Sequence, residues 1–315
     1  MKKRNFLFIG SLVVCILLVL AGIGIGNYFY ELALNPSTDK SSVFEAEHNK
    51  PKDLEIFENE TAWFESMKKE NLSLDSEDNL KLQSYLINQE DFSNRYVIIA
   101  HGYMGNATRM AAYAKHFYDQ GYNILIPDAR GHGRSEGDYI GMGWHERKDM
   151  LRWIDEVVSS NSNAEIVLYG ISMGAATVMS TSGENLPMQV KAIVEDCGYT
   201  SVKDIFAHQL KELYNLPSFP VLNFASFVTY MKAGYTHGEA SSINQVAKAT
   251  KPMLFIHGTE DSFVPYEMVY ELYEKANVEK EIFIVDGASH GEAAAVAGDQ
   301  YWDIIFNFLN NYMKS

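Results

Sequence analysis

Ser172, Asp261 and His290 stand in that order along the chain, each just past a short apolar run. Together these types offer a specific chemistry. A serine hydroxyl is a poor nucleophile until a base takes its proton, and an imidazole is suited to that work near neutral pH. A buried carboxylate can hold the imidazole in the right tautomer and stabilise its protonated form. Ser172 lies in Gly170-Ile171-Ser172-Met173-Gly174, between the apolar run Ile166–Tyr169 and the small-residue run Gly174–Thr177. A strand, a tight turn and a helix opening at the serine make a nucleophile elbow. Such a turn strains the serine backbone, and glycines two places either side let strand and helix meet. The helix dipole and the N–H of Met173 then favour a developing oxyanion.

Asp261 lies in Gly258-Thr-Glu-Asp-Ser-Phe-Val-Pro265 and His290 in Gly287-Ala-Ser-His-Gly291. Glu260 or Asp196 could also supply the carboxylate; the Asp261 loop fits best, the plainer reading of Asp261 being a cap for the helix that opens near Pro265. His290 is one of nine histidines, and taken alone it reads equally as a packing residue. Taken with Ser172 and Asp261 it is the candidate base. His101-Gly102-Tyr103-Met104-Gly105 follows another apolar run, and the main-chain N–H of Tyr103 is the second candidate oxyanion donor beside that of Met173. His101 itself reads as structural. Asp128, His132 and Ser135 repeat the three residue types within one short loop. They are too close in sequence to surround a substrate from separate walls, so that loop reads as one tied down by hydrogen bonds.

The elements that must hold these residues alternate. Strand patterns over 96–100, 123–127, 166–169, 190–195, 252–257 and 281–285 are separated by helical patterns over 108–120, 144–159, 174–182, 265–275 and 293–312. That alternation predicts βαβ units and a mostly parallel sheet covered by helices on both faces, with sites at the carboxyl ends of the strands. Ahead of it, 55–69 has helical spacing, while 71–76 and 80–87 read as an antiparallel hairpin at the sheet edge with its turn at 76–79.

The first residues differ in kind. Lys2, Lys3 and Arg4 precede an uncharged apolar run from Phe6 to Gly26, long enough to cross a bilayer as a helix. No small-x-small cleavage site follows, and Tyr28, Phe29 and Tyr30 suit a membrane interface. We therefore expect an uncleaved signal anchor over 1–30, a linker over 31–52 and an outward-facing domain over 53–315. Gly22 and Gly26 form a Gly-x-x-x-Gly pattern that could pair two such helices. Cys15 falls in the apolar run and leaves Cys197 without a disulfide partner. A net charge of −15 with no basic stripe excludes a nucleic-acid partner. His145-Glu146 lacks the second histidine of a zinc helix, and Gly22, Gly24 and Gly26 sit in the apolar segment rather than a nucleotide loop. No metal or cofactor is expected.

The motifs at 101–105, 128–135, 170–174, 258–265 and 289–291 resemble the α/β-hydrolase superfamily. More narrowly they resemble its serine-aminopeptidase-like and bacterial cinnamoyl-esterase-like branch, which includes membrane-anchored members. The resemblance covers about 72–312 and implies the α/β-hydrolase fold, with Ser172, Asp261 and His290 as triad and Tyr103 and Met173 as oxyanion donors. It implies no substrate. A helical cap is expected at about 200–250, where Phe206, Leu210, Leu213, Tyr214, Phe219, Phe224, Phe227, Tyr230 and Met231 make the chain apolar and aromatic. These rings read first as the cap's own core, and more sharply as the lining of an acyl pocket. The expected activity is hydrolysis of carboxylic esters with hydrophobic or aromatic acyl groups. Amide or aminopeptidase-like hydrolysis, and a catalytically idle membrane-tethered binding domain, stand as alternatives. Substrate-binding residues and oligomeric state are not legible.

Overall fold

The computed structural model describes residues 2–40 and 54–313; most of the expected linker, 41–52, lies outside them. Eight strands form one sheet: β1 (Glu70–Asp75), β2 (Lys81–Ile87), β3 (Arg95–Ala100), β4 (Asn123–Pro127), β5 (Glu165–Ile171), β6 (Val190–Asp196), β7 (Met253–Gly258) and β8 (Lys280–Val285). Their spatial order is β1-β2-β4-β3-β5-β6-β7-β8. The β1–β2 and β2–β4 pairs are antiparallel and the rest parallel. The 71–87 hairpin is thus at the edge, and the strand carrying Ser172 is central.

Side chains alternate across each strand, so one sequence feeds two cores. Val97, Ile99, Val167, Tyr169, Val194 and Ile256 point to one face. There they meet α2 (Leu54–Ser66), α3 (Ala111–Asp119) and, near the C-terminus, α11 (Asp299–Asn310). Ile98, Ile166, Leu168, Ile193 and Phe255 point to the other face. Their partners lie on α4 (Glu146–Ser160), α5 (Met173–Ser182), α8 (Ser242–Val246) and α9 (Glu267–Lys275). All of β5 is buried, which is why its sequence is a continuous apolar run rather than an alternating one.

Two expected helices are more finely divided. The helix read over 108–120 begins as a 3₁₀ turn, Ala107–Met110, because the Asn106 side chain caps the Arg109 N–H before α3 starts. The helix read over 293–312 is two: α10 (Ala293–Ala297) and α11, broken at Gly298, whose φ of 55° and ψ of −131° are open to glycine.

Between β6 and β7 come α6 (Val202–Tyr214), α7 (Ser218–Ala233) and α8. We call α6 and α7 the cap. The N-terminal helix α1 (Lys2–Leu34) is 33 residues long, and its apolar stretch is long enough to cross a membrane. It does not stop at Tyr30: Leu34 is fully buried, and its carbonyl accepts the Ile140 N–H at 2.8 Å. The buried stripe Gly22, Gly26, Tyr30 and Leu34 faces the domain. A Cβ on Gly22 would collide with the Phe224 ring of α7, and one on Gly26 with the Phe224 carbonyl. The Gly-x-x-x-Gly face that could have paired two anchors is therefore occupied within the chain by the cap.

Candidate active site

The site is built where β5 ends. Ser172 has φ 57° and ψ −117°, a conformation that costs on the order of 1–3 kcal/mol in a non-glycine residue and persists only when the surroundings impose it. The glycines show how they do so. A Cβ on Gly170 would strike the Gly174 carbonyl, and one on Gly174 the Ala100 carbonyl. Only with both side chains absent can α5 start directly against β3 and β5.

His290, in the loop after β8, reaches this serine. Its Nε2 is 2.8 Å from Ser172 Oγ and its Nδ1 is 2.7 Å from Asp261 Oδ2. Asp261, after β7, is nearly fully buried. Its other oxygen, Oδ1, accepts the N–H groups of Phe263 and Val264 at 3.0 and 2.8 Å. Asp261 does not cap the helix after Pro265, which opens at Glu267 behind Tyr266 with no side-chain cap; one of its oxygens caps the turn at Phe263 and Val264 and the other faces the imidazole. Burial alone would raise this carboxyl, but electrostatic attraction to His290 and hydrogen bonds from His257 and His290 outweigh it and hold it well below the usual carboxylate range.

His257 was not singled out by the sequence reading. It closes β7, is fully buried, and its Nε2 lies 3.1 Å from both Asp261 Oδ2 and the Val264 carbonyl. A carbonyl can only accept, so Nε2 carries the hydrogen. His257 is thus a second donor to the same carboxylate oxygen. Its only sequence signal is its place four residues before Asp261, at the end of an apolar strand.

The rival carboxylates lie elsewhere. Glu260 is exposed. Asp196 is buried at the end of β6, where Tyr301 Oη donates to it at 2.6 Å, and burial pushes it up to about 6. Cys197, next to it, lies with Asp261 and His290 in a group whose potential ligand atoms all fall within 4.8 Å of one another. Burial pushes its thiol well up, so it offers neither a thiolate nucleophile nor a thiolate metal ligand. Asp261 and His290 meanwhile spend their facing atoms on each other. This group does not fit a metal.

The loops at 101–105 and 128–135 interlock. His101 Nε2 accepts the Ala129 N–H at 3.0 Å and His132 Nε2 accepts the Met104 N–H at 3.2 Å. Each Nδ1 faces a carbonyl, Gly102 at 2.8 Å and Arg130 at 2.9 Å, which assigns both rings as neutral with hydrogen on Nδ1. Burial lowers both, His132 to about 4. Asp128 takes the Ala107 N–H and the Arg134 guanidinium at 2.7 Å each, while Arg130 pairs with Asp149 at 2.7 Å and Asp78 at 2.8 Å. These residues are framework. They seat Gly102 against Ser172, where a Cβ on the glycine would sit 3.4 Å from the serine's own, and so bring Tyr103 beside Met173 at the pocket wall.

From Ser172 a pocket runs under the cap. Among the described residues its lining carries no Asp, Glu, Lys or Arg. Phe206, Leu210, Leu213 and Tyr214 come from α6, Leu222 and Ala225 from α7, and Phe29 and Ala33 from α1. Of the nine apolar cap residues, four therefore line the pocket and Phe224 packs on α1. Phe219, Phe227, Tyr230 and Met231 are exposed, Phe219 by 76%. Tyr103 Oη donates to the Ala33 carbonyl at 2.6 Å, which ties the end of α1 to the loop beside Ser172.

A mostly parallel sheet covered by helices, with an elbow serine at the end of its central strand, is the α/β-hydrolase fold, and the chain is similar to hydrolases built on it. Residues 93–222 match the family of serine aminopeptidases, S33. Over 314 residues, 99% of each chain, it is 28% identical to YqkD of Bacillus subtilis. It is 26% identical over 242 residues to YNL320W of Saccharomyces cerevisiae, described as a membrane protein, covering 76% of this chain and 79% of the relative. Among solved structures, the Pyrococcus furiosus esterase Pf2001 superimposes with a TM-score of 0.64 at 26% identity, over 79% of this chain and 94% of its own. The Pyrococcus horikoshii acylaminoacyl peptidase shares the fold, with a TM-score of 0.59 at 18% identity over 81% of this chain and 43% of the peptidase.

Proposed function

We propose that this chain is a membrane-anchored serine hydrolase that cleaves carboxylic esters through an acyl-enzyme on Ser172. The observation that carries this is the single imidazole spanning Ser172 Oγ at 2.8 Å and a buried carboxylate at 2.7 Å. His290 Nε2 takes the serine proton as Oγ attacks the ester carbonyl, and the oxygen gathers negative charge facing the N–H groups of Met173 and Tyr103. Asp261 keeps hydrogen on Nδ1 and stabilises the imidazolium that forms. The imidazolium then gives its proton to the leaving alcohol oxygen. Water, deprotonated by the same nitrogen, releases the acid and restores the serine. No cofactor enters any step.

The apolar pocket supports a hydrophobic or aromatic acyl group, and the esterase resemblance favours esters. Hydrolysis of amides is the second reading, favoured by the likeness to serine aminopeptidases. A free-amine pocket would need an acidic group near Ser172, and the described pocket lining has none. Matched p-nitrophenyl ester and p-nitroanilide substrates with the same acyl group separate the two: the ester should turn over far faster. Equal or better anilide turnover would assign the chain to amide hydrolysis, and turnover of neither would leave a binding domain.

We further propose that residues 1–30 stay attached as a signal anchor and that the domain, with its cap at about 200–250, faces outward. Lys2, Lys3 and Arg4 at the N-terminus support this orientation. Protease added to intact cells should remove the domain; full protection would place it inside.

A further inference from the structure

The anchor and the cap are continuous with one another, and both are apolar where they meet. Helices α1 and α7 run side by side in the same direction, with Gly22 against Phe224 near one end and Glu31 against Lys232 at the other. The Glu31–Lys232 ion pair is 2.5 Å long, and it is also where both apolar stretches stop. In α1 no charged residue lies between Arg4 and Glu31, and in the cap none lies between Glu212 and Lys232. From Arg4 to Glu31 a helix rises about 40 Å at 1.5 Å per residue, the thickness of a bilayer with its headgroup layers. With α1 in that position, the start of α7 and the turn before it lie below the ion pair, at the depth of Gly22. The large apolar side chains exposed there are Leu216, Phe219 and Phe227, with Tyr230 and Met231 above them nearer the headgroups, and the uncharged Asn215, Ser218 and Asn223 are exposed among them. In water so many exposed large apolar side chains beside a membrane helix are unfavourable, whereas in lipid they are solvated.

The pocket follows the same line. It starts at Ser172, passes Ala33 and Phe29 of α1, and reaches Leu213, Tyr214 and Leu222 between α1, α6 and α7. Tyr214, which lines the pocket, is 37% exposed and its ring meets Phe29 edge-on at 5.5 Å, so part of the pocket wall lies at the surface on the flank of α1.

Building on the serine-hydrolase reading above, we infer that the cap is seated in the bilayer and that the pocket takes the acyl chain of a lipid ester directly from it, between α1 and the α6–α7 turn. The occupant of the exposed cap face is lipid. The substrate is a neutral lipid with an ester-linked acyl chain, because no charged side chain among the described residues lines the route. The ester carbonyl stops at Ser172 while the chain remains on the apolar side, and the acyl transfer is the one already described.

The test uses the full chain reconstituted in phosphatidylcholine vesicles carrying a minor fraction of monooleoylglycerol, with p-nitrophenyl acetate as the soluble substrate. In the double variant Phe219→Asp/Phe227→Asp, both positions lie outside the pocket lining. Turnover of the glyceride should fall at least tenfold while turnover of the acetate stays within about twofold. Separately, Phe219→Trp fluorescence should be quenched by brominated phosphatidylcholine more strongly than that of Met188→Trp, an exposed position remote from the cap. Equal glyceride turnover in the double variant, or equal quenching at the two positions, overturns the inference while leaving the hydrolase reading intact. Absence of acetate turnover in the wild-type chain would instead overturn the hydrolase reading, and this inference with it.

Discussion

Replacing Asp261 with asparagine tests the account at one atom. Oδ1 accepts two main-chain N–H groups, from Phe263 and Val264, and Oδ2 accepts from His290 Nδ1 and His257 Nε2. An amide has one accepting end and must turn it one way. Facing its NH₂ toward Phe263 and Val264 would set donor against donor twice, and each unsatisfied buried group costs about 1–3 kcal/mol. Facing it toward the histidines creates one fixed conflict, with His257, because His290 can yield by moving its hydrogen to Nε2. The second arrangement is the cheaper, and in it Nε2 points a hydrogen at Ser172 and can no longer accept the serine proton. The expected loss in kcat is about 10³–10⁴-fold, or ~4–5.5 kcal/mol of transition-state stabilisation, the scale known for this tautomer error in other serine hydrolases. Stability should fall by about 1–3 kcal/mol. Initial rates on a p-nitrophenyl ester beside a thermal melt read both. Activity within tenfold of wild type in a variant of unchanged stability would refute the reasoning, since neither orientation permits that outcome.

Further predictions follow from single contacts. Gly174→Ala forces a Cβ into the Ala100 carbonyl, so β3 and α5 must part; a loss of about 1–3 kcal/mol or more and of nearly all activity is expected in urea melts and ester assays, and an active variant of normal stability would contradict the packing. His257→Phe removes one of the donors to Asp261 Oδ2. A charge-assisted bond is worth about 1.5–3 kcal/mol, so kcat should drop about tenfold with KM little changed, whereas a change in KM alone would place His257 outside the site. His237, buried and held by Thr229 at 2.9 Å, has its imidazole pushed by burial down to about 4. Its folded value lies below its unfolded one, so between about pH 4 and 6.5 the unfolded chain binds the extra proton and stability falls as pH falls. His237→Gln should reduce the slope of unfolding free energy against pH in that window by up to ~1.4 kcal/mol per unit; identical slopes would mean His237 is protonated in the folded protein.

The sheet and the meeting of Asp261 and His290 at Ser172 were legible because each depends on a local pattern. Apolar runs of strand length ended in loops carrying Ser172, Asp261 and His290, and parallel topology brings such ends together. The hairpin at 71–87 was legible for the same reason. His257 was not, since a histidine inside an apolar strand reads as packing until its neighbour across the turn is known. The break at Gly298 was hidden because the apolar spacing continues on both sides of it. The role of α1 was the least legible. Gly22 and Gly26 form the same pattern whether they face a second anchor or a phenylalanine two hundred residues away, and only tertiary contact decides. Similarly, the nine apolar cap residues divide between pocket, anchor contact and exposed face by their direction on α6 and α7, which composition does not carry.

The most direct test of the central claim is covalent. The full chain in detergent is treated with a fluorophosphonate probe and the modified peptide is mapped by mass spectrometry, beside Ser172→Ala and Cys197→Ala. The account predicts one adduct, on Ser172, lost in Ser172→Ala and retained in Cys197→Ala. A folded wild-type protein that takes no label, or takes it at any other residue, would contradict it.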